Sequence, residues 1–290
     1  MLAPSTILNK LAMILALSAT AAVADVRNIP MIVPFSAGGP TDQIWRAMEP
    51  AVNQELAVQG LKLVTEYKPG AGAMVAANHI AQASTTTVGI FSTALVIAPN
   101  VNPQAANFKP QDFVLVAYAG SVNMVVVSNK YQTRDSLVRA CQQDSVTYGS
   151  SGIGSATHLF GELVAQELKC KPAIHVPYKG MSAAAPDLQA GRIDFLVDFA
   201  TSATAPKLDV DVDRFPLENW HVVVANASAD AQDLAKIQKA FDAIKKNSTA
   251  VKEIQQRTGV QNLGANKDTS WLHRQFHAFQ KFVTSHINKI

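Results

Sequence analysis

From residue 25 onward the apolar positions alternate between short β-branched runs and longer stretches in which they recur every three or four residues. Residues 29–33 predict a strand, 41–56 a helix that Pro50 should kink, 62–66 a strand, 74–83 a helix and 88–91 a third strand. A second series follows. Residues 113–119 and 123–127 are apolar and rich in valine, Thr133-Arg134-Asp135 opens a helix ending near Cys141, and 146–148 predict a short strand. Within 155–168, Ala156, Leu159, Phe160, Leu163, Val164 and Leu168 share helical spacing. A strand at 174–176, a small-residue helix ending at Ala190 and a strand at 195–197 complete this series. The last third differs: a polar, acidic stretch at 208–218 precedes a strand at 220–225, and helices then follow. Leu234, Ile237, Phe241 and Ile244 share one helical face, as do Leu272, Phe276, Phe279, Val283 and Ile287.

Such alternation, with short glycine-rich connections, predicts an α/β fold with parallel strands and helices on the sheet faces. Two α/β units joined by apolar crossings at 119–125 and 220–224 predict two lobes about a cleft that closes by hinge motion. The expected division gives 25–121 with 225–290 to the first lobe and 122–224 to the second.

Four connections are unusually rich in small residues, and each lies between a predicted strand and a helix. They are 35–41 within VPFSAGGPTD, 69–73 (PGAGA), 149–155 (GSSGIGS) and 178–182 (YKGMS). In open α/β sheets ligands bind beyond the carboxyl ends of strands, where such loops gather. Glycine lets main-chain N–H groups approach a ligand, and the helix that follows presents its positive end. Each loop alone reads more readily as an N-cap than as a binding site. Four together, two from each lobe, predict a cleft site for a carboxylate or another small anion.

Composition agrees with a soluble α/β protein: 48% of residues are hydrophobic, 16% are charged and the formal net charge is +3. That weak balance gives no reason to expect nucleic acid as a partner. Lys10, the apolar run 11–17 and the small residues up to Ala22-Val23-Ala24 have the form of a secretory signal, with cleavage expected after Ala24. The run is too short to span a bilayer. Residues 1–24 are therefore expected to leave a periplasmic, secreted chain beginning at Asp25. In that oxidising compartment Cys141 and Cys170 are a disulfide candidate, the alternative being two buried free thiols. They lack the paired spacing of a structural zinc site.

Enzymatic motifs are missing. GSSGIGS lacks the third glycine of G-x-G-x-x-G, does not fit G-x-S-x-G, and neither a P-loop nor H-E-x-x-H occurs. His79, His158, His175 and His221 are dispersed. His158 alone stands in the first turn of a helix after Ser150-Ser151-Gly152, where ligand contact and simple packing are equal readings. The expectation is a binding protein without catalytic residues, metal or cofactor.

VPFSAGGPTD, PGAGA, VTYGSSGIGSATH, HVPYKG and DLQAGRIDFLVD, in this order and spacing over residues 29–198, resemble the Bug family. This is the periplasmic solute-binding family of tripartite tricarboxylate transporters, also called TctC. The resemblance implies a two-lobed periplasmic binding protein fold (type II-like, a Venus flytrap), a small organic carboxylate held largely by backbone amides, and membrane permease subunits as partners of a monomer. It implies ligand contact from Phe35, Ser36, Ala37, Gly38 and Gly39, from Ala71 and Gly72, and from Ser92. From the second lobe it implies Ser150, Ser151, Thr157, His158, Tyr178 and Asp198, with Asp42 bracing the first loop. The family's N-R-P-G-A-G-G is here Tyr67-Lys68-Pro69-Gly70-Ala71-Gly72-Ala73, and the stretch from Asp198 to Trp220 is shorter than typical. A ligand sensor of the same fold, uncoupled from transport, is the alternative function.

Overall fold

The computed structural model describes residues 26–200, 205–212 and 218–286. The expected signal segment, 1–24, lies outside them.

Two five-stranded sheets organise the chain, each built on the same plan. The first sheet has the order β2-β1-β3-β10-β4, from β1 (Arg27–Val33), β2 (Leu61–Tyr67), β3 (Val88–Ser92), β4 (Phe113–Ser121) and β10 (Trp220–Asn226). The second has the order β7-β6-β8-β5-β9, from β5 (Met124–Val127), β6 (Val146–Ser150), β7 (Ala173–Pro177), β8 (Phe195–Phe199) and β9 (Lys207–Leu208). In each sheet the first three strands are parallel. The sheets are mixed, however, not parallel throughout. β10 runs antiparallel to both β3 and β4, and β5 antiparallel to both β8 and β9. Each of these two strands enters its sheet directly from a crossing between lobes, not by a helical crossover, and so runs against its neighbours.

That arrangement moves one expected boundary. All seven residues of β10 belong to the first sheet, and Trp220 and Val222 to Ala225 are almost wholly buried. The run 220–224, expected as a crossing assigned to the second lobe, is a central strand of the first. The chain leaves the first sheet at Ser121 and returns just before Trp220. The two crossings touch: Val122 N donates to Asn219 O at 3.0 Å, and the Asn219 amide reaches Met124 Sδ at 3.1 Å. The Thr93 hydroxyl donates to Asn219 Oδ1 at 3.1 Å, tying the hinge to the first lobe.

Helices pack on the sheet faces. They are α1 (Pro40–Ala57), α2 (Met74–Ala81), α3 (Ala94–Val101), α4 (Arg134–Gln143), α5 (Ala156–Glu167), α6 (Met181–Gln189), α7 (Ala231–Lys246), α8 (Ser248–Thr258) and α9 (Thr269–His286). α1 continues through Pro50, because the face formed by Ile44, Trp45, Met48, Val52 and Leu56 is buried on both sides of the proline. Cys141 in α4 is disulfide-bonded to Cys170, just before β7. Among the described residues no helix is long and apolar enough to cross a membrane.

Candidate functional site

The four small-residue loops meet in pairs across the cleft. Loop 35–39 of the first lobe faces loop 178–182 of the second. Ser36 N donates to Lys179 O at 3.1 Å, Ser36 Oγ and Ser182 Oγ are 2.7 Å apart, and Ser182 Oγ donates to Ala37 O at 3.0 Å. Gly180 lies so close that a Cβ there would overlap Ser36 Oγ. The second pair is loop 70–73 against loop 152–154. A Cβ on Gly72 would overlap the carbonyl oxygen of Ile153, and one on Gly154 would stand 2.7 Å from Ala98 Cα in α3. The glycines thus permit backbone of one lobe to touch backbone of the other. The cleft is closed.

Between the paired loops lies a small cavity with walls from both lobes. Phe35, Pro40, Thr41 and Ser92 line it from the first lobe, and Ser151, Ala156, Thr157, Met181 and Phe199 from the second. No Asp, Glu, Lys or Arg is among them. What converges instead is the first turn of three helices: Pro40 and Thr41 open α1, Ala156 and Thr157 open α5, and Met181 opens α6. α1 and α6 have no side-chain cap. α5 is capped by Ser155, whose Oγ accepts from His158 N at 3.1 Å. Helix N-termini carry partial positive charge and unpaired N–H groups, so a water-poor space facing three of them favours a negative guest. The hydroxyls of Thr41, Ser92, Ser151 and Thr157 add hydrogen-bonding groups around it. A roomier hollow beside Met48, Tyr118, Phe241 and Lys267 is built by the first lobe alone, so lobe closure cannot act on it.

Of the residues expected at the site, Phe35, Ser92, Ser151 and Thr157 line the cavity. The amides expected to greet a carboxylate in the first loop are otherwise engaged: Ser36 N by Lys179 O, Gly39 N by Ser36 O at 3.3 Å, and Gly38 N by Asp42 Oδ2 at 2.8 Å. They serve the turn and the opposite lobe. Asp42 also accepts from the Tyr67 hydroxyl at 2.9 Å. Gly72 sits in the second seam, and neither it nor Ala71 is on the cavity wall.

In the second lobe, Ser150 Oγ lies 2.7 Å from His175 Nε2, and Ser151 N donates to Thr157 Oγ1 at 2.9 Å. His158 does not line the cavity. Its ring stacks on His175 with centroids 4.1 Å apart, and its Nδ1 accepts from Gly154 N at 3.2 Å. Burial pushes its pKa down to about 4, which keeps the ring neutral. Tyr178 points its hydroxyl at Asp187 Oδ2, 2.5 Å away, and burial pushes its pKa up to about 12. Asp198 Oδ1 accepts from the amide of Phe199 at 2.7 Å, and the Phe199 side chain reaches the cavity.

Pro40, Thr41 and Met181 fall within loops 35–41 and 178–182 but were not named as contacts, and Ala156 and Phe199 adjoin residues that were. The helix starts were expected to face the ligand, but the side chains of their first turns were not singled out.

Comparison with known proteins fits this geometry. Residues 44–211, more than half of the chain, match the model of the tripartite tricarboxylate transporter family receptor, TctC. The protein of the tcbD-tcbE intergenic region of Pseudomonas sp. (strain P51) is 30% identical over 183 residues, covering 61% of this chain and 53% of that protein. The chain thus spans about half the length of this curated relative. The periplasmic binding protein BugD superposes with a TM-score of 0.78 at 20% identity, covering 90% of this chain and 97% of BugD. MatC from Rhodopseudomonas palustris, solved with bound malate, gives a TM-score of 0.74 at 19% identity over 91% of this chain and 99% of MatC. These likenesses establish the two-lobed binding-protein fold.

Proposed function

Because the chain belongs to the tripartite tricarboxylate transporter receptor family, we propose that it is a periplasmic solute-binding protein that captures a small organic carboxylate and presents it to membrane permease subunits. One observation carries the reading: three helix N-termini from two lobes face a cavity that has no charged side chain in its wall. A carboxylate there is held by peptide dipoles and hydroxyls, and closure of the lobes removes water from around it. MatC holds malate on the same fold, which makes a compact di- or tricarboxylate the first choice of guest. The binding residues on this reading are Phe35, Thr41, Ser92, Ser151 and Thr157, together with the amides that open α1, α5 and α6. Ser36, Ala37, Gly38, Gly39, Ala71 and Gly72 shape the closed seam, and Asp42 braces the first loop. No catalytic step is involved.

The same reading has the segment 1–24 removed on export and the mature protein acting as a monomer. Thermal unfolding of the mature chain in the presence of malate, citrate, aromatic acids and amino acids tests it. Specific binding raises the melting temperature in proportion to the logarithm of ligand concentration. At least one organic acid should do so while its amide or ester does not. If no acid stabilises the protein, or the neutral amides do so equally, the carboxylate reading fails.

A further inference from the structure

Behind the cavity wall stands a histidine that the binding reading does not use. His221, on β10, is fully buried, and its Nε2 lies 3.3 Å from the hydroxyl oxygen of Thr41, a cavity-lining residue that is 2% exposed. Its other nitrogen, Nδ1, has no hydrogen-bond partner among the described residues. The aromatic ring nearest to it on the cavity side is that of Phe199, with centroids 5.6 Å apart, which offers no acceptor. We propose that His221 is a positioning residue that fixes the Thr41 hydroxyl as a hydrogen-bond donor to the bound carboxylate. The inference rests on the carboxylate reading of the cavity and deepens it.

Two neutral tautomers are open to the buried ring. Burial pushes the pKa of His221 down to about 3, so the ring carries a single ring proton. If that proton were on Nδ1, a buried N–H would have no acceptor, and Nε2 would take the Thr41 hydroxyl proton. Genuinely orphaned buried N–H groups are rare, rarer than acceptors left with an unused lone pair. With the proton on Nε2 the only orphan is a lone pair on Nδ1. Nε2–H then donates to Thr41 Oγ1, and the hydroxyl's own proton must turn elsewhere. The open direction is the cavity, where an anion accepts it. The histidine thus sets the polarity of a group it hides behind, and it favours an acceptor over a donor as guest.

Two-bond 1H–15N correlation spectra of 15N-histidine-labelled mature protein at pH 7.5 read the tautomer directly, with the His221 signal assigned by its loss in His221→Gln. The expected pattern is a protonated Nε2 and an unprotonated Nδ1; the reverse pattern overturns the proposal. Malate affinity by calorimetry supplies the second readout. Thr41→Val and His221→Phe should each weaken binding about tenfold or more, as loss of a hydrogen bond to a charged group does. Thr41→Ser and His221→Gln, which restore the donor, should stay within about threefold of the parent. Parental malate affinity in Thr41→Val would sink the proposal. Should malate fail to bind the parent protein, the proposed guest is wrong, while the spectra still decide the tautomer, needing only that His221→Gln fold for the assignment.

Discussion

The two seams that close this protein are built differently. At the first, loop 35–39 meets loop 178–182 through the Ser36 amide, the Ser36–Ser182 hydroxyl pair and the Ala37 carbonyl. At the second, Gly72 meets Ile153 and Gly154, and Gly154 meets Ala98, by bare backbone approach. Among the described residues no hydrogen bond crosses this second seam. A seam made of hydrogen bonds in reach of water gives up its contacts one at a time, each worth about 1 kcal/mol. A seam made of shape admits no such gradation, since two backbones at van der Waals distance leave nothing to trim. The first acts as a latch and the second as a key. Both flank the same cavity, so any ligand that needs closure depends on both.

Gly72→Val should therefore have the largest effect. Its side chain would collide with the Ile153 carbonyl oxygen across the seam, a clash that opening relieves, while its positive φ strains the backbone in open and closed forms alike. Overpacking of that kind costs up to about 3 kcal/mol, which lowers the closed population and the apparent ligand affinity about a hundredfold. Small-angle scattering with saturating ligand should show the variant remaining open where the parent contracts. Full closure of Gly72→Val would remove the distinction between the two seams.

Acid should act on the second seam and spare the first, whose serines do not titrate. Gly154 N rests on Nδ1 of His158, which stacks on His175, and burial holds the pKa values at about 4 and about 3, with the His158 charge also lowering that of His175. Unfolded, both rings take protons below pH ~6.5. The unfolded state thus binds more protons as pH falls, so the stability contributed by these neutral rings is whole above ~6.5 and declines from there toward about 4. For His158 the loss reaches about 2 kcal/mol at pH 5. Urea unfolding at pH 7.5 and pH 5 measures it, and His158→Gln should shrink the difference by about that amount. An unchanged difference would show that the stack does not govern this side of the cleft.

At the latch, Ser182→Ala removes the donor to Ala37 O and the partner of Ser36 Oγ but leaves the Ser36 amide on Lys179 O. About 1 kcal/mol is expected, a roughly fivefold loss of affinity by calorimetry. A loss as deep as that of Gly72→Val would mean the hydrogen bonds, not the shape, carry closure.

Much of this was legible in the sequence, and the failures have physical causes. The strand and helix starts around the four loops were readable because glycine, serine and proline mark the ends of periodic runs. α3 was passed over because Ala94 to Ala98 is buried on every side, so no polar positions reveal a helical period. α8 did carry its signals, with Asn247 Oδ1 accepting from Ala250 N and Gly259 ending the helix in the left-handed conformation. The direction of β5 and β10 has no local signature, since antiparallel pairing depends on where the chain comes from. At the site, attention to glycines selected the residues that let the lobes touch. Much of the rest of the cavity wall, Pro40, Thr41, Ala156 and Met181, comes one or two positions later, in the first helical turn. Asp198 and Phe199 show the sensitivity of strands to a single step, because side chains alternate across the sheet and adjacent residues face opposite ways.

The smallest effect lies within the key itself. Ala73 is held at φ 88°, directly after Gly72 at φ 61°, and occupies the place where the family pattern ends in glycine. An L-residue in the left-handed region costs about 1–2 kcal/mol, whereas glycine enters it freely. Glycine loses more backbone entropy on folding, about 0.5–1 kcal/mol, which offsets part of the relief. Ala73→Gly should therefore stabilise the protein by about 0.5 kcal/mol in urea unfolding, a gain small beside the loss at Gly72 and opposite in sign. Because Ala73 N bonds back to Gly70 O at 3.1 Å and not to the other lobe, the gain should appear equally in ligand-free and ligand-saturated protein. If it appears only with ligand present, this turn belongs to the closing surface, and the key extends one residue further than its contacts indicate.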